Sequence, residues 1–389
     1  MSAAPATVLI HGCGVAAATA TRLLADDGFA LAGEREGSRS SAPVVMLSDQ
    51  ALALLRDLFG RADLFAGRPR IMRRIVAWGD AELVTFPHAA IAVSGSEIAA
   101  ELALSPLQGD AVIAAKIHTA TLAVPRRTPG PRSHTFGVRD SWAPAFAGEQ
   151  NMLESSPALL SPLPETFFTI HAATPFPADA MRRFGQREAM AAAVDLAPQA
   201  DAQACHVEAT DAGWLFLIPQ GARRAWLLAV GGTPDALLGR SRLVAAQVRD
   251  VAPVTARFET APRMLETMAG DDWLACGTAA IAFDPICGDG TAQAAREAIL
   301  AAAVIAALRE GGDPAPLLGH YQSMLIAAMR RHLQLSLSFY RSGGTSPWWR
   351  AQADALADGH AWCTARLATM PEPRFLLRGT RLVSREQAA

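Results

Sequence analysis

Lysine is almost missing from this chain: Lys116 is the only one among 35 basic residues, so chemistry that requires a lysine has one position to use. The five cysteines (Cys13, Cys205, Cys276, Cys287 and Cys363) are scattered, odd in number and form no C-x-x-C pair. That pattern argues against a zinc site and against a disulfide framework, and it fits a reducing cytoplasm. A surplus of either charge is also missing. The formal net charge of −2 gives no field that would draw the chain to nucleic acid or to an anionic membrane. The longest apolar stretch, Ala298 to Leu308, is about half of the ~20 residues that a bilayer requires, so no membrane span is expected. The N-terminus has no basic region and no signal-peptide pattern. No His/Asp/Glu spacing points to a metal.

What is present is a chain of 389 residues, 51 % hydrophobic, large enough for two domains or one interleaved one. Thr7-Val-Leu-Ile10 reads as a buried strand that runs through His-Gly-Cys-Gly into an Ala-rich helix, Ala16 to Asp26. Gly28 stops that helix, and Phe29 to Leu31 starts a second strand ending near Glu34. Residues 38–48 read as loop and Asp49 to Leu58 as helix. Ile71 to Phe86 reads as strand pieces around a turn at Trp78-Gly79-Asp80. A helix over Ser96 to Leu104, with Ser96 as cap, and a strand over Ala111 to Ile117 follow. Pro and Gly cluster from Pro125 to Pro131, marking a domain crossing. Strands are expected at Phe167 to Ile170, Trp214 to Ile218 and Trp226 to Val230, with an Ala-rich helix near Met190. From Ala292 onward the chain is mainly helical.

Gly12-Cys13-Gly14-Val15-Ala16-Ala17 fits G-x-G-x-x-G/A in the strand-to-helix setting that gives the motif meaning. Gly12 permits a tight turn, Gly14 lets backbone approach a pyrophosphate, and Ala17 allows close helix-strand packing. Glu34, at the end of the second strand, is placed to accept hydrogen bonds from ribose hydroxyls, although Arg35 and Glu36 lie beside it. NAD and FAD both satisfy this pattern, and a tight turn without nucleotide is the plainer alternative.

The run Trp273 to Gln293 (WLACGTAAIAFDPICGDGTAQ) reads as strand, Gly/Pro-rich loop and long helix beginning near Thr291. It resembles the carboxy-terminal flavin-binding segment of FAD-dependent monooxygenases, in the tryptophan halogenase-like group. Asp284, Pro285, Gly288 and Gly290 match that segment, and Thr278 stands where the family usually has an aspartate for the ribityl chain. Gly213-Trp-Leu-Phe-Leu-Ile-Pro219 resembles a halogenase G-W-x-W-x-I-P strand, with Phe216 at the second tryptophan. Alternation puts Trp214, Phe216 and Ile218 on one strand face, suited to core packing or to an aromatic ring.

Within the group the chain is similar to flavoproteins that mature tryptophylquinone cofactors by oxygenating a tryptophan of a partner protein. Val76 to Gly79, Phe86-Pro87-His88 with Val93-Ser94, Ala225 to Gly231 and Phe283 to Gly290 carry that similarity. The resemblance implies an α/β fold: a Rossmann-type FAD-binding domain over 1–125 and 263–320, an inserted mixed-sheet substrate domain over 126–262, and a C-terminal helical region over 321–389, with 72–95 assignable to either of the first two. It implies FAD as cofactor, an aromatic substrate, and electrons from NAD(P)H or a separate flavin reductase.

Flavin halogenases use a lysine downstream of the first glycine motif. Here Lys116 falls in an expected strand, and Arg73 and Arg74 stay protonated and do not replace that acid, so hydroxylation is favoured over halogenation. A flavin-dependent halogenase or small-molecule hydroxylase and a non-catalytic flavoprotein chaperone are the rivals, the last because of Thr278 and because Asp110 lacks the following glycine of an Asp-Gly motif. His88 is a candidate base or ring donor, and Arg39 a candidate pyrophosphate ligand. Met329 to Leu333, Phe339 to Arg341 and Trp348 to Arg350 fit a partner-docking cluster or, preferably, an amphipathic helix packed on the flavin domain.

Overall fold

In the computed structural model the described residues are 5–34, 42–103, 166–173, 181–288 and 290–388. Strand β1 (Thr7–His11) passes through the Gly12 to Gly14 turn into α1 (Val15–Asp26), and Gly28 returns the chain to β2 (Ala30–Glu34). This start follows the expected pattern. Next come β3 (Val45–Ser48), α2 (Asp49–Phe59) capped by the Ser48 hydroxyl, and the hairpin β4 (Arg70–Ala77) with β5 (Val84–Val93). The helix α3 (Gly95–Ala103) is capped by Ser94, not Ser96: Glu97 N–H donates to Ser94 Oγ at 3.1 Å and the Glu97 carboxylate accepts from Ser94 N at 2.6 Å, a reciprocal box. The expected strand at 111–117, the Pro/Gly cluster at 125–131, Asp110, Lys116 and Arg39 lie outside the described residues.

The chain continues as β6 (Thr166–His171), β7 (Met181–Arg183), β8 (Glu188–Leu196), β9 (Ala204–Thr210), β10 (Gly213–Gly221), β11 (Arg224–Val230) and α4 (Pro234–Leu238). Then come β12 (Val248–Val251), β13 (Ala256–Glu259), β14 (Arg263–Leu265), β15 (Trp273–Ala275) and β16 (Ile281–Ala282). Long helices α5 (Gly290–Arg309), α6 (Pro314–Gly343) and α7 (Pro347–Ala368) precede the hairpin β17 (Phe375–Arg378) and β18 (Arg381–Ser384).

The β8 strand replaces the helix expected near Met190. Alanine favours helix, yet Ala189, Ala191 and Ala192 are all fully buried, because β8 has β11 on one edge and β12 and β13 on the other. Pairing on both edges and burial on both faces outweigh a weak local propensity.

Two sheets organise the molecule. The first is four-stranded and parallel, in the order β15-β6-β1-β2. The second, nine-stranded sheet runs β12-β8-β11-β10-β9-β4-β5-β3, with β13 also on β8; of its pairings only β4 with β9 is parallel. This pairing crosses the expected boundaries. β6, inside 126–262, completes the sheet of β1, whereas β3, β4 and β5, inside 1–125, join the large sheet. Only 72–95 had been left open between the two.

Alternation along β10 splits its side chains between two cores. Trp214, Phe216 and Ile218 pack with the first sheet and the long helices, while Leu215 and Leu217 pack with Val194, Leu196, Leu227 and Leu237 behind the sheet. Burying each such side chain contributes about 1.5–3 kcal/mol. α5 is apolar and long enough to cross a bilayer by composition, but its sides are covered by α1, α2, α6 and β18, as expected of a core helix. In the C-terminal cluster Met329, His332, Tyr340 and Trp349 are buried while Arg330, Arg331, Arg341 and Arg350 are exposed, the packed amphipathic arrangement.

Candidate functional site

Gly12 and Gly14 both have positive φ, +116° and +93°, but for different reasons. A Cβ on Gly12 would lie 2.7 Å from Ala173 Cβ, so the chain's own packing requires glycine there. On Gly14 a Cβ would meet nothing within 4 Å, and the backbone faces open space. Gly14 also caps α1 without a side-chain hydrogen bond, and no acidic residue occupies the first helical turn. Helix-start N–H groups of this kind favour an anion such as a pyrophosphate. Ala17 is buried in the main core, the small helix contact that the motif requires. Glu34 ends β2 opposite His11 in register; its side chain is outside the described set.

The carboxy-terminal segment reaches the same place. β15 extends the parallel sheet beside β6, and the single turn Gly277–Ala279 follows it. A Cβ on Gly277 would stand 2.7 Å from Ala16 Cβ, so this turn lies directly on the start of α1. Thr278 is exposed between buried Gly277 and Ala279, leaving its hydroxyl free to meet a ligand. Behind the turn, Gly277 N–H donates to Glu297 Oε2 at 2.8 Å. Glu297 on α5 is fully buried, and desolvation pushes its carboxyl up to about 8, against hydrogen bonds from Gln293 and Gly277. Gly288 adopts φ +69° and α5 begins at Gly290, where again a Cβ would meet nothing within 4 Å.

Asp284 is not open to a ligand. Its carboxylate caps the Pro285–Cys287 turn by accepting Ile286 N–H at 3.0 Å, and it also accepts Tyr340 Oη–H at 2.8 Å and Arg187 Nε–H at 3.1 Å. Arg187 Nη2 stands 3.1 Å away as an ion pair whose angle makes no hydrogen bond, and both side chains have no exposed surface. Arg187 further donates to Gln352 at 2.9 Å and lies over the Tyr340 ring at 4.5 Å. Asp284 N–H donates to His332 Nε2 at 2.8 Å, while the His332 ring stacks on Phe283. Burial and the Arg187 charge push His332 down to about 3, so it is a neutral acceptor. This knot fixes the 284–288 turn from behind, with Pro285 partly exposed on it.

Trp214 belongs to the same knot. It has no exposed surface, and its indole N–H donates to Tyr340 Oη at 3.1 Å, which removes it from direct contact with a substrate. Phe216, two residues on, leads to a different cluster. The Arg74 guanidinium lies over its ring at 5.8 Å, and Arg74 Nη2 stands 3.4 Å from His88 Nε2. The sheet dictates this: Phe216 faces Val207 on β9, and Cys205, two residues before Val207, faces Arg74 on β4, which in turn faces Phe86 on β5. His88 is therefore on the same face. Pro87 precedes it within β5, where β3 has not yet paired and the strand is an edge, so the missing N–H is tolerated. Desolvation, then Arg74, lowers the His88 pKa from the usual histidine value. A Cβ on Gly288 would lie 3.4 Å from Arg74 Nη2, so the sheet face and the 288 turn adjoin.

The structure thus gathers Gly12, Gly14, Ala17, Gly277 and Thr278 at one place, and Phe216, His88 and Gly288 at another, with Arg74 central to the second. Arg187, Gln352 and Glu297 carry no sequence signal beyond being polar residues in apolar helical or strand surroundings, and His332 and Tyr340 are legible only as members of the C-terminal basic and aromatic cluster. Among the described residues no group of His, Cys, Asp or Glu could hold a metal ion.

No protein-family model and no curated protein matches the chain by sequence. Solved structures do match. The peptidyl tryptophan dihydroxylase QhpG, essential for tryptophylquinone cofactor biogenesis, aligns with TM-score 0.64 at 18 % identity over 98 % of this chain and 86 % of its own. The flavin-dependent halogenase CmlS gives 0.67 at 16 % over 94 % and 72 %. The Pseudomonas aeruginosa protein pqsL, named a probable FAD-dependent monooxygenase, gives 0.55 at 14 % over 93 % and 100 %. The chain therefore has the fold shared by these flavin-dependent halogenases and monooxygenases.

Proposed function

We propose that the protein is an FAD-dependent monooxygenase that hydroxylates an aromatic ring, an indole in the first instance, borne by a tryptophan of a partner protein during quinone-cofactor maturation. The observation that carries this reading is the contact of Gly277 with Ala16, which joins the two flavin-type segments from opposite ends of the chain. The residues present fit the cofactor. Gly14 and Gly290 leave open the two places where backbone approaches it, the α1 N-terminus offers N–H donors for the pyrophosphate, and Thr278 offers an exposed hydroxyl. When bound, FAD supplies the activation of dioxygen with two electrons from NAD(P)H, one oxygen atom going to the ring and the other to water.

The protein's own task is to place the ring and manage a proton. Phe216 backs the site at the β10 end, and His88, whose protonated form is disfavoured by burial and by Arg74, accepts the proton from the ring at Nε2, giving up its long contact with Arg74 as it does so. The Asp284 knot keeps the 284–288 turn rigid, and Trp214 acts through Tyr340 rather than on substrate. The single lysine of the chain favours hydroxylation over halogenation.

The test is the absorption spectrum of purified protein with and without added FAD, followed by anaerobic reduction and exposure to oxygen with peptide-borne and free indoles. Flavin bands and indole-dependent product are expected, and folded protein that retains no FAD would defeat the reading. A Gly14→Val variant should bind FAD at least about 100-fold more weakly, roughly 2.7 kcal/mol, while keeping its circular dichroism.

A further inference from the structure

Among the described residues, Arg74 is a cation without an anion. It is half-buried, its Nε is buried with no hydrogen-bond partner, and no described carboxylate pairs with it. Its polar neighbours are the His88 ring nitrogen at 3.4 Å and the Cys205 thiol, neither of which carries negative charge near neutral pH: burial raises that thiol. The nearby cations find partners. Arg73 pairs with Asp201 at 2.5 Å and Arg70 with Asp49 at 2.8 Å, so β4 does not lack carboxylates within reach; Arg74 alone of the three is aimed away from them. A guanidinium left partly desolvated and unpaired is costly unless a ligand supplies the charge. The surroundings define that ligand. The half-exposed guanidinium lies over the buried Phe216 ring, 5.8 Å from its centroid, and its Nη2 faces the Gly288 turn, where a Cβ would stand 3.4 Å away, so a flat group with a negative edge is the ligand that fits beside it.

We infer that Arg74 is the anion receptor of the site, taking the delocalised negative charge of a planar aromatic group bound against its exposed side, next to the Gly288 turn. Two sources share this chemistry: the reduced flavin ring, an arm that rests on the proposed function, and an aromatic substrate bearing a carboxylate. A planar guanidinium suits both, since it donates two parallel N–H groups to neighbouring acceptors.

The experiment compares wild type with Arg74→Gln and Arg74→Lys. In the flavin arm, sulfite is titrated against FAD-loaded protein, because its adduct with oxidised flavin is anionic and tightens with a nearby positive charge. Sulfite binding at least about ten-fold weaker in Arg74→Gln, with recovery in Arg74→Lys, supports the receptor with flavin as its anion. In the substrate arm, benzoate is titrated against flavin-free protein while the His88 ring is followed by NMR. A saturable shift in wild type that is lost in Arg74→Gln supports the receptor with a substrate carboxylate as its anion. If Arg74→Gln is folded and neither titration changes, the inference is overturned. If wild type takes up no FAD, the proposed function fails, yet the benzoate titration still decides the role of Arg74.

Discussion

Around Asp284 the polar groups are sealed from water and the charges are paired, with Arg187 Nη2 held by the ion pair alone, whereas around Arg74 they are half-open and the cation lacks a carboxylate, although both clusters lie on the Trp214 and Phe216 face of the same sheet. In the first, a carboxylate accepts from Ile286, Tyr340 and Arg187, and its own N–H is taken by a neutral histidine. In the second, a guanidinium has one long contact to His88 and a buried Nε with no acceptor. Satisfied buried networks hold a fold in one arrangement, and under-satisfied ones wait for a ligand. Two residues along β10 separate the regimes: Trp214 is tied into the knot, and Phe216 lies buried under the half-exposed Arg74.

The contrast can be broken from either side. Replacing Asp284 with Ala should have the largest effect, because Arg187 is then a buried charge without a partner; about 3–5 kcal/mol of stability should be lost. Chemical denaturation measures it, and a loss under about 1 kcal/mol would show that the knot is not structural. His88→Asn should do the reverse, leaving stability nearly unchanged and lowering hydroxylation about 100-fold. The acidic limb of the wild-type rate profile should lie below the ordinary histidine range, since burial and Arg74 disfavour the protonated ring. An acidic limb at or above that range would remove His88 as the base.

Glu297 sharpens the comparison by titration. Its folded pKa of about 8 lies above that of an unfolded glutamate, so its contribution is fully present in acid and is lost as pH rises through 8. Stability should fall by up to about 1.4 kcal/mol per pH unit between about pH 5 and pH 8 on this account, and Glu297→Gln should flatten that slope. Equal slopes in the two proteins would mean that Glu297 is ionised in the fold. The smallest effect is expected from Trp214→Phe, which deletes one N–H to Tyr340 and should cost about 1 kcal/mol without altering the flavin spectrum. A changed spectrum would put the indole in contact with the cofactor after all.

What could be read in the sequence was local. The β1, glycine turn, α1 and β2 unit and the β15 to α5 segment announce themselves through apolar runs and glycines close together in the chain. Sheet membership did not, because β6 pairs with β1 and β4 with β9 across long intervals, and no composition change marks those pairings. β8 was hidden by its alanines, whose helical preference is overruled by neighbours on both edges. In the site, Gly14 and Phe216 stand in recognisable motifs, and Arg74 was visible only as a poor substitute for a lysine. Arg187 carried no signal, since its meaning depends on Asp284 and Gln352 reaching it from distant elements.

The parallel seam between β4 and β9 also sets an order of events during synthesis. The three strands β4, β5 and β3 emerge early with the β4 edge bare, and that edge finds its partner only when residue 204 and those after it have appeared. The parallel sheet waits longer still, for β15. The large sheet lacks its last strand until Glu259 and the parallel sheet until Ala275, so a nascent chain shorter than that carries open strand edges. Pairings between strands this far apart in the chain make the last step of folding a late one.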